Sequence, residues 1–224
     1  MNHWVTRGLI CSSVAAAGYF LIGRHWQLRW GATDAELREK LAGDDLIADA
    51  DLTATRAIDI DCSADRVWPW IAQLGQGRGG FYSYDRLENL LGCDIHSADH
   101  VVPEWQNREV GDEVRLAPKV GLTVAALEPG EALVLSGGIA LGQSDPPYDF
   151  TWSFVLQHPP DGSTRLIVRE QYAYRRFWAR FLVEPTEAVS FFMSKKMLRG
   201  IRDRAESGAV QVGDGHRRSV IGVA

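Results

Sequence analysis

The side chains with the most chemistry to offer cluster between Tyr82 and Glu104. Tyr82, Tyr84, Glu88 and His96 bring phenol, carboxylate and imidazole together, the set that moves protons at a substrate carbonyl or hydroxyl or orients a ligand. The same spacing also suits a solvated face on which Glu88 pairs with Arg86 or with a backbone amide. His96 and His100 stand four apart beside Asp94, Asp99 and Glu104, a zinc-like pair if that stretch were helical. Val101, Val102 and Pro103 disfavour a helix there, so hydrogen-bonded or surface histidines and no metal are expected. Gly75 to Gly80 (GQGRGG) resembles a phosphate-cradling loop, but it follows a predicted helix instead of opening one. A flexible helix-to-helix loop is the expectation, and no cofactor is expected. Glu170 is unusual: strand alternation puts it on one face with Leu166, Val168 and Tyr172. There it needs a partner such as Arg115 or Tyr148, a raised pKa, or access to water. No Ser/His/Asp order and no Cys/His pair stands out as a nucleophilic site.

The whole chain must position these groups, and its composition limits how. It has 224 residues, a formal net charge of -5 and 46% apolar positions, enough for a folded domain with an interior cavity. Nucleic acid is disfavoured, because the balance is acidic and no basic run interrupts it. Cys11, Cys62 and Cys93 are odd in number and widely spaced, so a reducing compartment fits them better than a disulfide framework.

Charge is uneven along the chain. The opening 33 residues carry +3 through Arg7, Arg24 and Arg29, with no acid before Asp34. Gly8 to Gly23 is uncharged and flanked by Trp4, Trp26 and Trp30, like a segment with interfacial tryptophans. It is slightly short for a spanning helix. A membrane anchor is the leading expectation; a cleavable signal ending near Ala15 to Ala17 and a soluble amphipathic helix are the alternatives. Arg24, Arg29, Arg38 and Lys40 follow the segment, so the positive-inside rule puts the globular part in the cytoplasm, tethered or, in the alternative, free.

Thr33 to Glu36 reads as a capping box opening a helix to about Leu41, and Asp44 to Thr53 as a linker. Arg56 to Asp61 alternates like a half-buried strand, with Ile58 and Ile60 on one face. Helices are predicted over Ala64 to Leu74, interrupted by Pro69, and over Tyr84 to Leu91. Strands are predicted over Asp112 to Leu116, Leu122 to Leu127, Ala132 to Ser136, Asp149 to Leu156 and Thr164 to Tyr172, as an antiparallel meander. A long amphipathic helix over Pro185 to Ala205 presents Val189, Phe192, Met193, Met197 and Ile201. The domain reading is therefore an apolar segment at 1–31, a short helix and linker at 32–53, a main domain at 54–206 and a disordered tail at 207–224.

The order of elements, with Val67-Trp-Pro-Trp70, Gln73-Leu-Gly75, Gly79-Gly-Phe-Tyr-Ser-Tyr84, Ile95-His-Ser-Ala-Asp99 and the Trp152, Phe154 strand, resembles the SRPBCC superfamily, also called START or Bet v1-like. Trp30-Gly-Ala-Thr33 and the Gly-Phe-Tyr-Ser-Tyr run are similar to an uncharacterised bacterial subgroup with an N-terminal apolar segment. The resemblance implies an α+β helix-grip fold, a curved antiparallel sheet around a long C-terminal helix with a cavity between. It implies a hydrophobic small molecule (lipid, quinone or polyketide-like) bound or carried there, at a membrane reached through residues 8–23. Trp70, Phe81, Tyr82, Tyr84, Glu88 and His96 would line one side of that cavity. Phe150, Trp152, Phe154, Val168, Glu170 and Tyr172 would line the sheet side, and Phe192, Met193 and Met197 the helix. A cyclase or aromatase using Glu88, Tyr84 and His96 is the alternative, and a regulatory or stress-response module a further one.

Overall fold

The computed structural model describes residues 23–138 and 145–215, with side chains as far as residue 208. The apolar run that precedes Gly23 lies outside the described residues. The chain begins with α1 (Arg24–Leu28) and α2 (Asp34–Arg38), followed by a 3-10 turn at Asp44–Leu46. β1 (Leu52–Ile60), α3 (Ala64–Ala72) and α4 (Asp85–Leu90) come next. Five consecutive strands complete the sheet: β2 (Glu113–Ala117), β3 (Val120–Glu128), β4 (Ala132–Gly137), β5 (Tyr148–Gln157) and β6 (Thr164–Tyr174). The last element is α5 (Ala179–Gly215).

β2 to β6 form the expected meander, and β1 closes the far edge against β6, giving the order β1-β6-β5-β4-β3-β2 with every pair antiparallel. α5 packs on β1, β6 and α3. The result is an α+β fold in which a six-stranded antiparallel sheet carries a long C-terminal helix, as the helix-grip expectation requires.

Cross-strand register places the interior in rows, because residues paired across strands point to the same face. One row is Ala54, Glu170, Trp152 and Leu135; the next is Arg56, Val168, Phe154 and Leu133; then come Ile58, Leu166 and Leu156. Val67, Trp70 and Ile71 of α3 and Met197, Leu198 and Ile201 of α5 close over them in one apolar cluster.

α5 differs from its sequence reading in phase and in extent. Its buried stripe is Val183, Glu187, Phe191, Ser194, Leu198, Ile201 and Ala205, whereas Val189 and Phe192 are exposed. Two positions of that stripe are polar, and a pattern built on apolar residues skips them and settles one residue out of phase. Pro185 lies inside the helix, not in its first turn; its missing amide leaves one helical bond unmade, and the Thr186 hydroxyl donates to the carbonyls of Leu182 and Val183. The helix runs on to Gly215, through the first part of the stretch read as a disordered tail.

The outer face of the sheet is covered by the stretch read as a linker. Arg169 on β6 donates to Thr55, to the carbonyls of Glu36 and Glu39, and to Asp44. Arg165 holds Glu36, Asp59 and the Gly31 carbonyl. Gly31 is required here: at φ +75 it passes so close to β1 that a Cβ would sit 2.1 Å from the Ala57 carbonyl oxygen. The boundary drawn at residue 31 also cuts real contacts, since Trp30 packs on the core and its carbonyl accepts from the Ala57 amide (3.1 Å).

The capping box at α2 forms as expected, with Thr33 Oγ1 accepting from the Glu36 amide (3.2 Å) and Glu36 accepting from the Thr33 amide (2.6 Å). Thr33→Ala is expected to cost about 1 kcal/mol in urea denaturation. No measurable loss would mean that α2 does not hold the strap to the sheet.

Candidate functional site

The interior face of the sheet is apolar and aromatic over most of its area. Phe154 and Val168 are fully buried, and Phe150, Trp152 and Tyr172 are partly covered. Their rings interlock: Phe150 lies 4.6 Å from Tyr172, Trp152 lies 4.9 Å from Phe154, and Phe81 stands 5.9 Å from Trp152 across the interior. Trp70, Phe81 and Met197 are buried as expected, and Met193 is half-buried.

Two polar features stand out among the buried side chains, and they differ in kind. The first is an ion network near α1, complete except for Arg56 Nε, which is buried without a partner. Arg56 is fully buried; its Nη1 donates to Glu170 Oε1 (2.8 Å), and its Nη2 donates to Glu187. Glu170 also accepts from Ser194 (2.9 Å), Ser190 (3.0 Å) and the Tyr172 hydroxyl (3.3 Å), while Gln27 on α1 donates to Glu187. Arg56 therefore supplies what Glu170 needed, in place of Arg115 or Tyr148. Arg115 is exposed and pairs with Glu113. Burial raises the Glu187 pKa, the nearby Glu170 charge adds to this, and Arg56 opposes it.

The second feature is unsaturated. Glu88, on α4, is 3% exposed, and neither carboxylate oxygen has a hydrogen-bond partner. It pairs with neither Arg86 nor a backbone amide. Burial pushes its pKa up to about 6, helped by the charge of Asp85 and opposed in part by the Ser83 side chain. The Ser83 hydroxyl itself donates to the Met193 carbonyl (3.1 Å), which ties the start of α4 to α5. On the sheet, the indole Nε1 of Trp152 is likewise buried with no acceptor, although the residue as a whole is only partly covered. Buried polar atoms are nearly always satisfied, so these two stand out, as do Asp44 Oδ1, Arg56 Nε, Arg108 Nη1 and the Tyr174 hydroxyl.

The other expected residues lie elsewhere. The Tyr84 side chain is exposed. His96 is also exposed and meets Asp94 (3.2 Å), and His100 meets Asp99 (2.7 Å), both outside helix and strand. The two imidazoles thus have separate partners, and among the described residues no three His, Cys, Asp or Glu side chains gather to hold a metal. Phe192 faces outward. Tyr82 is buried but already committed: its hydroxyl donates to the Trp70 carbonyl (3.1 Å) and accepts from Gln73 (3.0 Å), and Arg204 covers its ring. Its backbone is left-handed at φ 56, a conformation held by the Ser97 hydroxyl, which accepts from its amide (2.9 Å). Gly200 on α5 permits this approach, since a Cβ there would lie 2.4 Å from the Tyr82 carbonyl oxygen.

The Gly75 to Gly80 loop spends its amides on the protein's own carbonyls. Gly75 and Gly80 pair with each other, Gln76 donates to Arg115, Arg78 to Gly75 and Gly79 to Gln73. Such a loop cannot offer those amides to a phosphate, which agrees with its expected role as a connection.

No family model matches the sequence. No curated protein matches it either. Among solved structures, a protein from Mesorhizobium loti is 17% identical, with 67% of this chain and 96% of that one covered and a TM-score of 0.40. A protein from Nitrosospira multiformis is 17% identical, with 70% and 99% covered and a TM-score of 0.44. A point mutant of norcoclaurine synthase from Thalictrum flavum, in complex with a transition-state analogue, is 12% identical, with 70% and 96% covered and a TM-score of 0.43. Function in this chain rests on its own residues.

Proposed function

We propose that the protein binds or carries a hydrophobic small molecule between the sheet and α5. The observation that carries this reading is the aromatic interior of the sheet with the unpartnered Trp152 indole in it, together with the buried, unpartnered carboxylate of Glu88 on α4. Apolar walls supply affinity through area removed from water, and a few polar atoms supply orientation. A saturated interior would offer nothing to orient a guest; this one offers an acceptor on α4 and a donor on β5.

Native mass spectrometry of the purified full-length protein tests the reading. A bound mass in the small-molecule range is expected, released by organic solvent as a single chemical class and returned unchanged. A chain that carries no adduct and gains none on incubation with a lipid extract would overturn it.

One observation favours the enzyme reading as well. A carboxyl with a pKa of about 6 is suited to giving and taking protons near neutrality, as a cyclase-like reaction requires. Conversion of the extracted ligand by wild type, lost by roughly 10² or more in Glu88→Gln, would favour turnover over carriage.

The membrane is part of the proposal. No helix among the described residues is long and apolar enough to cross a bilayer, and the expected anchor precedes them. What supports a membrane setting is that the uncharged run 8–22 leads directly into α1. There Trp26 is exposed, as are Phe181, Val189 and Phe192 of α5 and Leu87, Leu90 and Leu91 of α4. Full-length protein is expected to stay with membranes through a carbonate wash, and a chain lacking residues 1–22 to remain in the supernatant. Equal partitioning of the two would remove the tether from the proposal. By the positive-inside argument the domain then faces the cytoplasm.

A further inference from the structure

The buried carboxylates are not all paired. Of Glu88 on α4, Glu170 on β6 and Glu187 on α5, the last two share the buried guanidinium of Arg56, and Glu88 has no ion-pair partner among the described residues. Arg56 is committed to Glu170 and Glu187, which are further served by serine, tyrosine and glutamine donors. No cation is left for Glu88, and the Ser83 side chain is the neighbour that favours its charged form. Of the other cations bordering α3 and α5, Lys195 lies over the rings of Trp26, Trp30 and Phe191, Arg204 donates to the Ala98 and Gly200 carbonyls, and Arg108 donates to the carbonyls of Ala72 and Leu74 through Nε and Nη2 while its Nη1 is buried without a partner. The nearest acid to Glu88 in sequence, Asp85, accepts from Ser97 and so cannot relieve it.

We infer that the molecule taken into this interior is a hydrophobic amine, its ammonium group seated on the Glu88 carboxylate. The inference rests on the binding role proposed above and names its ligand chemistry. An ammonium supplies the missing charge and donates to both unpartnered oxygens at once. A neutral alcohol would satisfy one oxygen and leave the charge uncompensated. A fatty acid or a phosphate headgroup would set a second negative charge beside Glu88, with which no cation pairs among the described residues, and that is a penalty against that class of ligand and not merely a missing attraction.

Three probes that share one ring system separate these cases: 2-(1-naphthyl)ethylamine, 2-(1-naphthyl)ethanol and 1-naphthylacetic acid, titrated calorimetrically into the full-length protein at pH 7.5. The amine is expected to bind at least about tenfold more tightly than the alcohol, a difference of about 1.4 kcal/mol, and the acid more weakly than either. Glu88→Gln is expected to erase the amine preference while leaving alcohol affinity within about twofold, since the amide keeps the shape of the side chain and removes only its charge. Amine and alcohol binding equally, or an amine preference that survives in Glu88→Gln, would overturn the amine seat and leave interior binding standing. Failure of all three probes to bind wild type would overturn the seat and the binding role together.

Discussion

Replacing Arg56 with leucine is expected to lower unfolding free energy by about 3 to 5 kcal/mol, the usual cost of removing one partner from a buried charge network. The guanidinium is fully buried and bridges Glu170 on β6 to Glu187 on α5, so its loss strands two carboxylates that water cannot reach. The size of the effect comes mostly from those stranded charges, since two opposite charges taken out of water together gain little net energy. That distinction can be measured. Arg56→Leu combined with Glu170→Gln and Glu187→Gln is expected to recover much of the loss, because neutral amides remain tolerable where unpaired carboxylates do not. Urea denaturation of the single and combined variants reads both quantities, with coupling between the sites as the signature. A single-variant loss under 1 kcal/mol, or strict additivity, would show that the network is hydrated in solution.

Arg56 also shows what the sequence made legible and what it hid. The alternation of Arg56 to Asp61 correctly put Ile58 and Ile60 on the inner face, and by the same parity Arg56 belongs with them. The signal was present, but an arginine at a strand's start is ordinarily taken to reach water, as Lys and Arg side chains do. Glu170 was recognisable as buried from strand period alone, yet its partner lies 114 residues earlier, and spacing cannot choose among distant cations. The meander of β2 to β6 was readable because each turn is local; the pairing of β1 with β6 joins distant segments and was not readable from spacing. The phase of α5 was lost for a physical reason: Glu187 and Ser194 face inward to serve Arg56 and Glu170, so polarity no longer marks the outer side. Glu88 was identified as a candidate by its chemistry. Its burial was not apparent, since its neighbours Leu87, Leu90 and Leu91, which ought to have occupied the inner side of α4, are the exposed ones.

That inversion on α4 leads to the second large effect. Glu88→Gln is expected to stabilise the ligand-free protein by about 2 kcal/mol at pH 8 relative to its effect at pH 4. The carboxyl's pKa rises from 4.5 to about 6 on folding, and each unit is worth about 1.4 kcal/mol. The direction follows from proton uptake. Between these two values the folded protein holds a proton that the unfolded chain has released, so raising the pH favours unfolding. The stabilising contribution of the protonated form is complete below 4.5 and is lost as pH rises through about 6. Glutamine does not titrate, and the variant should therefore pull ahead of wild type across that window and stay ahead above it. Melting curves of both proteins from pH 4 to pH 8, stripped of ligand, check this; a difference that does not change with pH would mean that water reaches Glu88. Adding a hydrophobic amine should narrow the gap. At a concentration of 100 times its dissociation constant, a ligand stabilises the protein it binds by about 2.7 kcal/mol. Wild type would gain that amount, while the variant, having lost the charge that holds the ammonium, would gain less. A side chain that weakens the empty protein and returns part of that cost when the ligand binds fits a site kept for its ligand, since natural proteins keep such local costs where function requires them.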